Sequence, residues 1–170
     1  MGSCIAILLG WSACRKPAES KPKVSMESVR EPMIRVNQNM NRKEREDIDA
    51  YIRRYELKMR ESGTGLRYLI INEGKLPKAQ PENQVKVNYK VWLLNGRLCY
   101  SSDSTGAESF VVDHDDVESG LHEGIKMLGT GGKAKFILPS HLAHGLIGDD
   151  GKIPARSPVV YDIEVLSIHP

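Results

Sequence analysis

The chain has 170 residues, enough for one domain of ordinary size with extensions. Its 24 basic and 22 acidic residues nearly balance, which argues against a nucleic-acid groove or a polybasic membrane patch. Cys4, Cys14 and Cys99 form no C-x-x-C pair, and no Cys/His cluster has zinc spacing, so the sequence implies no metal site and no cofactor.

Residues 4–13 (C-I-A-I-L-L-G-W-S-A) are apolar and uncharged. They are too short to span a bilayer as a helix, but long enough for the apolar part of a signal peptide. Small Ser12 and Ala13 stand before Cys14, and polar Arg15, Lys16 and Pro17 follow. This arrangement resembles a bacterial lipoprotein signal: residues 1–13 are removed and Cys14 carries the lipid. An ordinary signal peptide and a disordered tail are the alternatives. A diacylated cysteine supplies enough buried methylenes for stable anchoring, which implies a periplasm-facing protein of the cell envelope. Cys99 is then the one free thiol, and no internal disulfide is expected.

Residues 14–40 read as a solvated linker, with Pro17, Pro22 and several basic residues at its start. Pro32 is expected to break any helix that begins near Met26. Residues 41–64 form a leading helical segment. Within it Ile48, Tyr51, Ile52, Tyr55 and Met59 recur at helical spacing, Asn41 fits the N-cap with Glu44 three later, and Gly63 and Gly65 end the segment. The apolar stripe suits packing on the following domain, with a monomer expected; pairing with a second copy is the alternative.

The domain occupies residues 65–170. Residues 66–71 predict a strand, and residues 75–83, with Pro77 and Pro81, a polar loop. Val85, Val87, Tyr89 and Val91 alternate with Lys86, Asn88 and Lys90, the pattern of a half-buried strand. Asn95-Gly96 predicts a hairpin turn returning along residues 98–101. Residues 109–112 predict a short strand. Residues 117–128 predict a helix with Leu121, Ile125 and Leu128 on one face. A glycine-rich turn at 129–132 leads to strands at 133–138 and 159–168. Many alternating strands and one central helix give an α+β domain, the helix covering one face of an antiparallel sheet.

Four segments carry a further signal: V-K-V-N-Y-K-V-W-L-L-N-G (85–96), V-E-S-G-L-H-E-G-I-K-M-L (117–128), G-G-K-A-K-F-I-L-P (131–139) and G-K-I-P-A-R-S-P-V-V-Y-D-I-E-V (151–165). In this order they resemble the FKBP-type peptidyl-prolyl cis-trans isomerases. The lead-in E-R-E-D-I-D-A-Y-I and S-G-T-G-L-R-Y looks like the family's bacterial secreted branch. With the lipoprotein-type leader it is similar to gliding-motility-associated isomerases of the Bacteroidetes. The resemblance implies a curved antiparallel sheet of five or six strands wrapped around the short helix. It also implies isomerase activity on proline-containing segments of exported proteins.

Carried over residue by residue, the resemblance places pocket positions at Tyr89, Tyr100, Val117, Glu118, Leu121, His144, Ile153 and Tyr161. Cys99 and Phe110, with Leu146 and Ile147 at the tip of an overhanging loop, complete the substrate-binding set. Several positions depart from the family pattern. Cys99 stands where a wall Phe is common, Tyr100 replaces the acid of F-D-S, Leu121 replaces a floor aromatic, and His144 replaces the Tyr of A-Y-G. Glu118 stands where Ile is usual, although its backbone N–H still offers a donor. Periodicity alone reads Tyr89, Val117, Leu121 and Ile153 as core, His144 as a surface histidine and the D-H-D-D run at 113–116 as a solvated loop. A binding module or chaperone with little isomerase activity is the rival reading, favoured by Tyr100 and His144.

Overall fold

The computed structural model describes the chain from Met26 to Pro170; the apolar run, Cys14 and the linker to residue 25 lie outside the described residues. The chain divides after Val36 into two units. The first contributes the opening turns of helix α1 (Met26–Arg54), on which Met33, Ile34 and Val36 are exposed. The expected break at Pro32 is absent, and the helix begins well before Asn41. Pro32 lies in the second turn, so a single bond, to the Ser28 carbonyl, is forfeited there. The Arg, Lys, Glu, Gln and Met residues that follow favour helix strongly.

The helix also stops short of Gly63. Glu56 takes a left-handed conformation (φ 51). The Leu57 N–H bonds the Ile52 carbonyl at 3.0 Å and the Glu56 N–H bonds Arg53 at 3.2 Å, which closes the helix without a glycine. Met59 and the residues after it leave the helix, and Arg60–Glu61 (β1) pair with the next strand.

The main sheet has seven strands, one or two more than expected. Its order is β1, β2 (Arg67–Asn72), β8 (Lys133–Leu138), β9 (Val159–His169), β4 (Gln84–Leu93) and β5 (Leu98–Ser101), all antiparallel. β6 (Glu108–Val111) joins the same edge of β4 as β5, further along: Gln84 to Val87 face β6 and Lys90 to Trp92 face β5. Tyr89 falls in the gap between them, where its N–H is received by Ser102 Oγ at 3.0 Å. Ser102 opens the one-turn helix α2 (Ser102–Thr105), which the sequence did not indicate. The expected loop at 75–83 instead begins with β3 (Lys75–Lys78). It pairs with β7 (Gly129–Thr130) through backbone bonds that leave its side chains largely exposed.

Both faces of the sheet are covered. Phe136, Ile137 and Leu138 are consecutive and all buried, although neighbours on a strand point to opposite faces. Phe136 and Leu138 join the inner core with Val85, Val91, Ile125, Val159 and Val165. Ile137 joins Val160 on the outer face beneath Ile48 of α1, with Tyr51, Ile52, Met59, Trp92 and Leu94 around them. The stripe on α1 thus packs on its own domain. Tyr55 is left exposed.

On the inner face lies α3 (Ser119–Ile125), shorter at both ends than the expected 117–128. Gly120 and Gly124 let it settle against β8. A Cβ on Gly124 would stand 2.7 Å from the Phe136 ring, and one on Gly120 would stand 2.7 Å from Leu138 Cγ.

Candidate functional site

Between the inner face and α3 the domain leaves a cavity of about 160 Å³. β4 supplies Val87, Tyr89 and Val91, alternate residues on one face. Tyr100 comes from β5, Glu108 and Phe110 from β6, and Tyr161 from β9. Val117 and Glu118 precede α3, Leu121 lies within it, and His144 stands on the loop after β8. Five of these side chains are aliphatic or phenyl (Val87, Val91, Phe110, Val117 and Leu121), and they give the cavity its apolar wall.

The polar groups form three sets. Tyr161 Oη donates to Glu118 Oε1 at 2.6 Å, and His144 Nε2 meets the same oxygen at 2.9 Å. Tyr89 Oη donates to Glu108 Oε1 at 2.5 Å. Tyr100 Oη donates to Asp149, whose other oxygen accepts the N–H groups of Gly151 and Ile153, each at 2.8 Å.

Charge states follow from these contacts. Burial works to raise the pKa of Glu118, but the bonds from His144 and Tyr161 and its own backbone N–H outweigh it, so the carboxyl titrates below its ordinary value. Its bond to Glu118 raises His144 above the ordinary imidazole value, against the opposing effect of burial. Burial, then the charge and hydrogen bond of Glu118, lift Tyr161 well above the usual phenol range. Burial and the bond to Glu108 push Tyr89 up to about 12. For Asp149, burial is outweighed by the Tyr100 hydroxyl and the two N–H donors, and its carboxyl falls to about 2.

Of the residues singled out by sequence, Tyr89, Tyr100, Phe110, Val117, Glu118, Leu121, His144 and Tyr161 line the cavity. Cys99 does not. It is buried in the inner core, with Sγ 3.8 Å from the Arg97 carbonyl and 3.7 Å from that of Lys152. Ile153 is likewise buried in the core and is not a lining residue. Leu146 and Ile147 are 66% and 80% exposed on the His144 loop and do not reach the cavity wall. Val87, Val91 and Glu108 were missed. The alternation was available to find them, because Val87 and Val91 flank Tyr89 at period two and Glu108 stands two before Phe110.

The loop that carries His144 is tied to α1. Glu44 receives the Ser140 N–H at 2.5 Å and the Ser140 hydroxyl at 2.8 Å. Further along, Arg156 Nη2 donates to Asn37 Oδ1 at 3.1 Å. The D-H-D-D loop is fixed by His122, which accepts from the Asp113 N–H at 2.9 Å and lies 3.0 Å from the Asp115 carbonyl. Among the described residues no group of three or more His, Cys, Asp or Glu side chains could hold a metal ion. No described helix is long and apolar enough to cross a membrane.

A family profile described as FKBP-type peptidyl-prolyl cis-trans isomerase matches residues 76–166, which include every residue lining the cavity. The chain belongs to this family. It is 37% identical over 109 residues to the FKBP-type peptidyl-prolyl cis-trans isomerase FkpA of Escherichia coli K12, covering 64% of this chain and 40% of that protein. It is 34% identical over 107 residues to a probable FKBP-type isomerase of Haemophilus influenzae, covering 63% and 44%. The chain therefore matches less than half the length of these relatives. The crystal structure of FkpA from Escherichia coli superposes with a TM-score of 0.62 at 30% identity, covering 87% of this chain and 75% of that one.

Proposed function

We propose that the chain is a peptidyl-prolyl cis-trans isomerase acting on proline-containing segments of exported proteins, and that the cavity is where it acts. The observation that carries this reading is the apolar wall of Val87, Val91, Phe110, Val117 and Leu121, closed by three tyrosines, inside the family match. Rotation about an X–Pro bond is slow because amide resonance gives a barrier of roughly 18–20 kcal/mol, while cis and trans differ by only about 0.5–1 kcal/mol. The twisted amide has lost that resonance and much of its charge separation. An apolar wall holds the twisted form better than the planar one, and the barrier falls by differential binding. No base, nucleophile or metal takes part; the chain needs only to hold and orient the segment.

Tyr89, Tyr100, Val117, Glu118, Leu121, His144 and Tyr161 form the site in this proposal, with Phe110 as wall. Ile153 supports the loop from the core, and Leu146 and Ile147 meet the client outside the cavity. Cys14 is the lipid anchor and the protein faces the periplasm, as the leader's resemblance implies. The likeness to gliding-motility-associated isomerases of the Bacteroidetes belongs to the same proposal.

A second reading, a binding module with little activity, is favoured by the Tyr161–Glu118–His144 set, which commits the polar groups of the pocket to one another. A protease-free exchange assay on Leu-Pro, Phe-Pro and Ala-Pro peptides decides. Acceleration that disappears in Tyr161→Ala supports the enzyme. No acceleration, with aggregation of an unfolded protein still suppressed, supports the binding module.

A further inference from the structure

The wall of this cavity is apolar, yet its charge is one-sided. Glu108 and Glu118 line it, and among the described residues no lysine or arginine does. Among the described residues His144 is the one lining group able to become a cation, and it meets the Glu118 carboxylate. The lining therefore carries two negative charges with His144 neutral and one with it protonated. The whole chain has a formal charge of +2, so the negative mouth is local and not a by-product of composition.

The two carboxylates come from different elements. Glu118 stands at the start of α3 with its side chain 13% exposed, while Glu108 stands on β6 and is exposed. Tyr161 is held by one and Tyr89 by the other, on adjacent strands where Val91 faces Tyr161 and Tyr89 faces Ile163. Basic side chains stand outside the lining, one of them over a lining ring. Lys90 Nζ is 2.7 Å from Asp103, and Lys152 Nζ lies over the Tyr100 ring, 5.0 Å from its centroid. Asp149, at the hydroxyl end of Tyr100, adds a third carboxylate beyond the lining.

Glu118 already meets Tyr161 and His144, and Glu108 meets Tyr89, so a client feels the net negative charge they leave at the site. A client held with its proline against the apolar wall brings its neighbouring side chains to this rim. A cation there gains from both carboxylates, more from the shielded Glu118 than from the solvated Glu108, and an anion is repelled by both. We propose that Glu108 and Glu118 select proline segments that carry a lysine or arginine side chain next to the proline. This rests on the cavity being the client site proposed above.

The test uses matched peptides with Lys, norleucine or Glu before the proline, and a second set with the same residues after it. The full chain, Glu108→Gln and Glu108→Gln/Glu118→Gln are compared at low and high salt. The expected result is a Lys-over-norleucine ratio in kcat/KM of about fivefold or more in at least one position, shrinking with salt as a charge effect should. The ratio falls in Glu108→Gln and approaches one in the double variant. A ratio below about fivefold in both positions, or one unchanged by both variants, overturns the proposal. Because Glu108 is exposed, its single variant reads the effect even if the double variant fails to fold. If no peptide is accelerated, the isomerase reading fails separately. The same ratios taken from dissociation constants in chemical-shift titrations then decide the charge preference by the same criterion.

Discussion

Removing the Glu44 carboxylate tests whether α1 holds the pocket loop in place. Glu44→Ala leaves the best helix former at an outer helix position, so helix propensity is not lost. What goes is a pair of bonds, at 2.5 and 2.8 Å, to the N–H and hydroxyl of Ser140. Ser140 is 7% exposed, so its N–H has little water to turn to. Bonds to a charged group are worth about 1.5–3 kcal/mol each, and two on one carboxylate are not independent, so a loss of about 2–3 kcal/mol is expected. For a domain of this size that lowers Tm by roughly 6–10 °C. Urea unfolding of Glu44→Ala, Ser140→Ala and the double variant gives the coupling, expected at about 1 kcal/mol or more. Because Ser140 begins the loop that carries His144, the His144 ring resonances should also shift in Glu44→Ala. A loss below about 0.5 kcal/mol, or additive single variants, would refute the clamp.

Other outcomes follow from the same contacts. Gly124→Ala places a methyl 2.7 Å from the Phe136 ring and should cost about 1–3 kcal/mol in urea unfolding. Glu56→Gly relieves a left-handed residue (φ 51) and should stabilise by about 0.5–1 kcal/mol, read as a higher Tm. NMR titration of His144 should give a pKa above 6.5, moving down toward that value in Glu118→Gln. The raised His144 pKa gives stability that is full below 6.5 and lost as pH rises through the folded value. The lowered Glu118 pKa gives stability that is full above 4.5 and lost as pH falls through its folded value. The stability gap between the wild type and a Glu118→Gln/His144→Gln variant should therefore be widest between 4.5 and 6.5.

The longer strands were legible because their residues show an apolar alternation, as in Val85, Val87 and Val91. The family register then placed eight cavity residues, of which periodicity alone reads Tyr89, Val117 and Leu121 as core and His144 as surface. Other features left weaker marks. The opening turns of α1 carry no regular apolar stripe, so Pro32 looked decisive when it forfeits only one bond. The helix end relies on Glu56 in a conformation usually given to glycine. β3 forms by backbone pairing, with no side-chain pattern to announce it. Cys99 was assigned from a family position, yet its packing turns it into the inner core, with Sγ near the Arg97 and Lys152 carbonyls. The apolar run Phe136-Ile137-Leu138 did hold a readable sign that the sheet is covered on both faces.

The outer face of the sheet has a bearing on how this protein tolerates damage. Ile137 and Val160 are shielded there by Ile48 of the leading helix. A protease cut between Arg54 and Arg60 that let the helix go would leave those side chains, with Trp92 and Leu94, as an apolar patch facing water. The freed domain would lose the hold of Glu44 on the loop that carries His144 and become self-adherent, so a clipped molecule would leave solution instead of persisting in a shortened form.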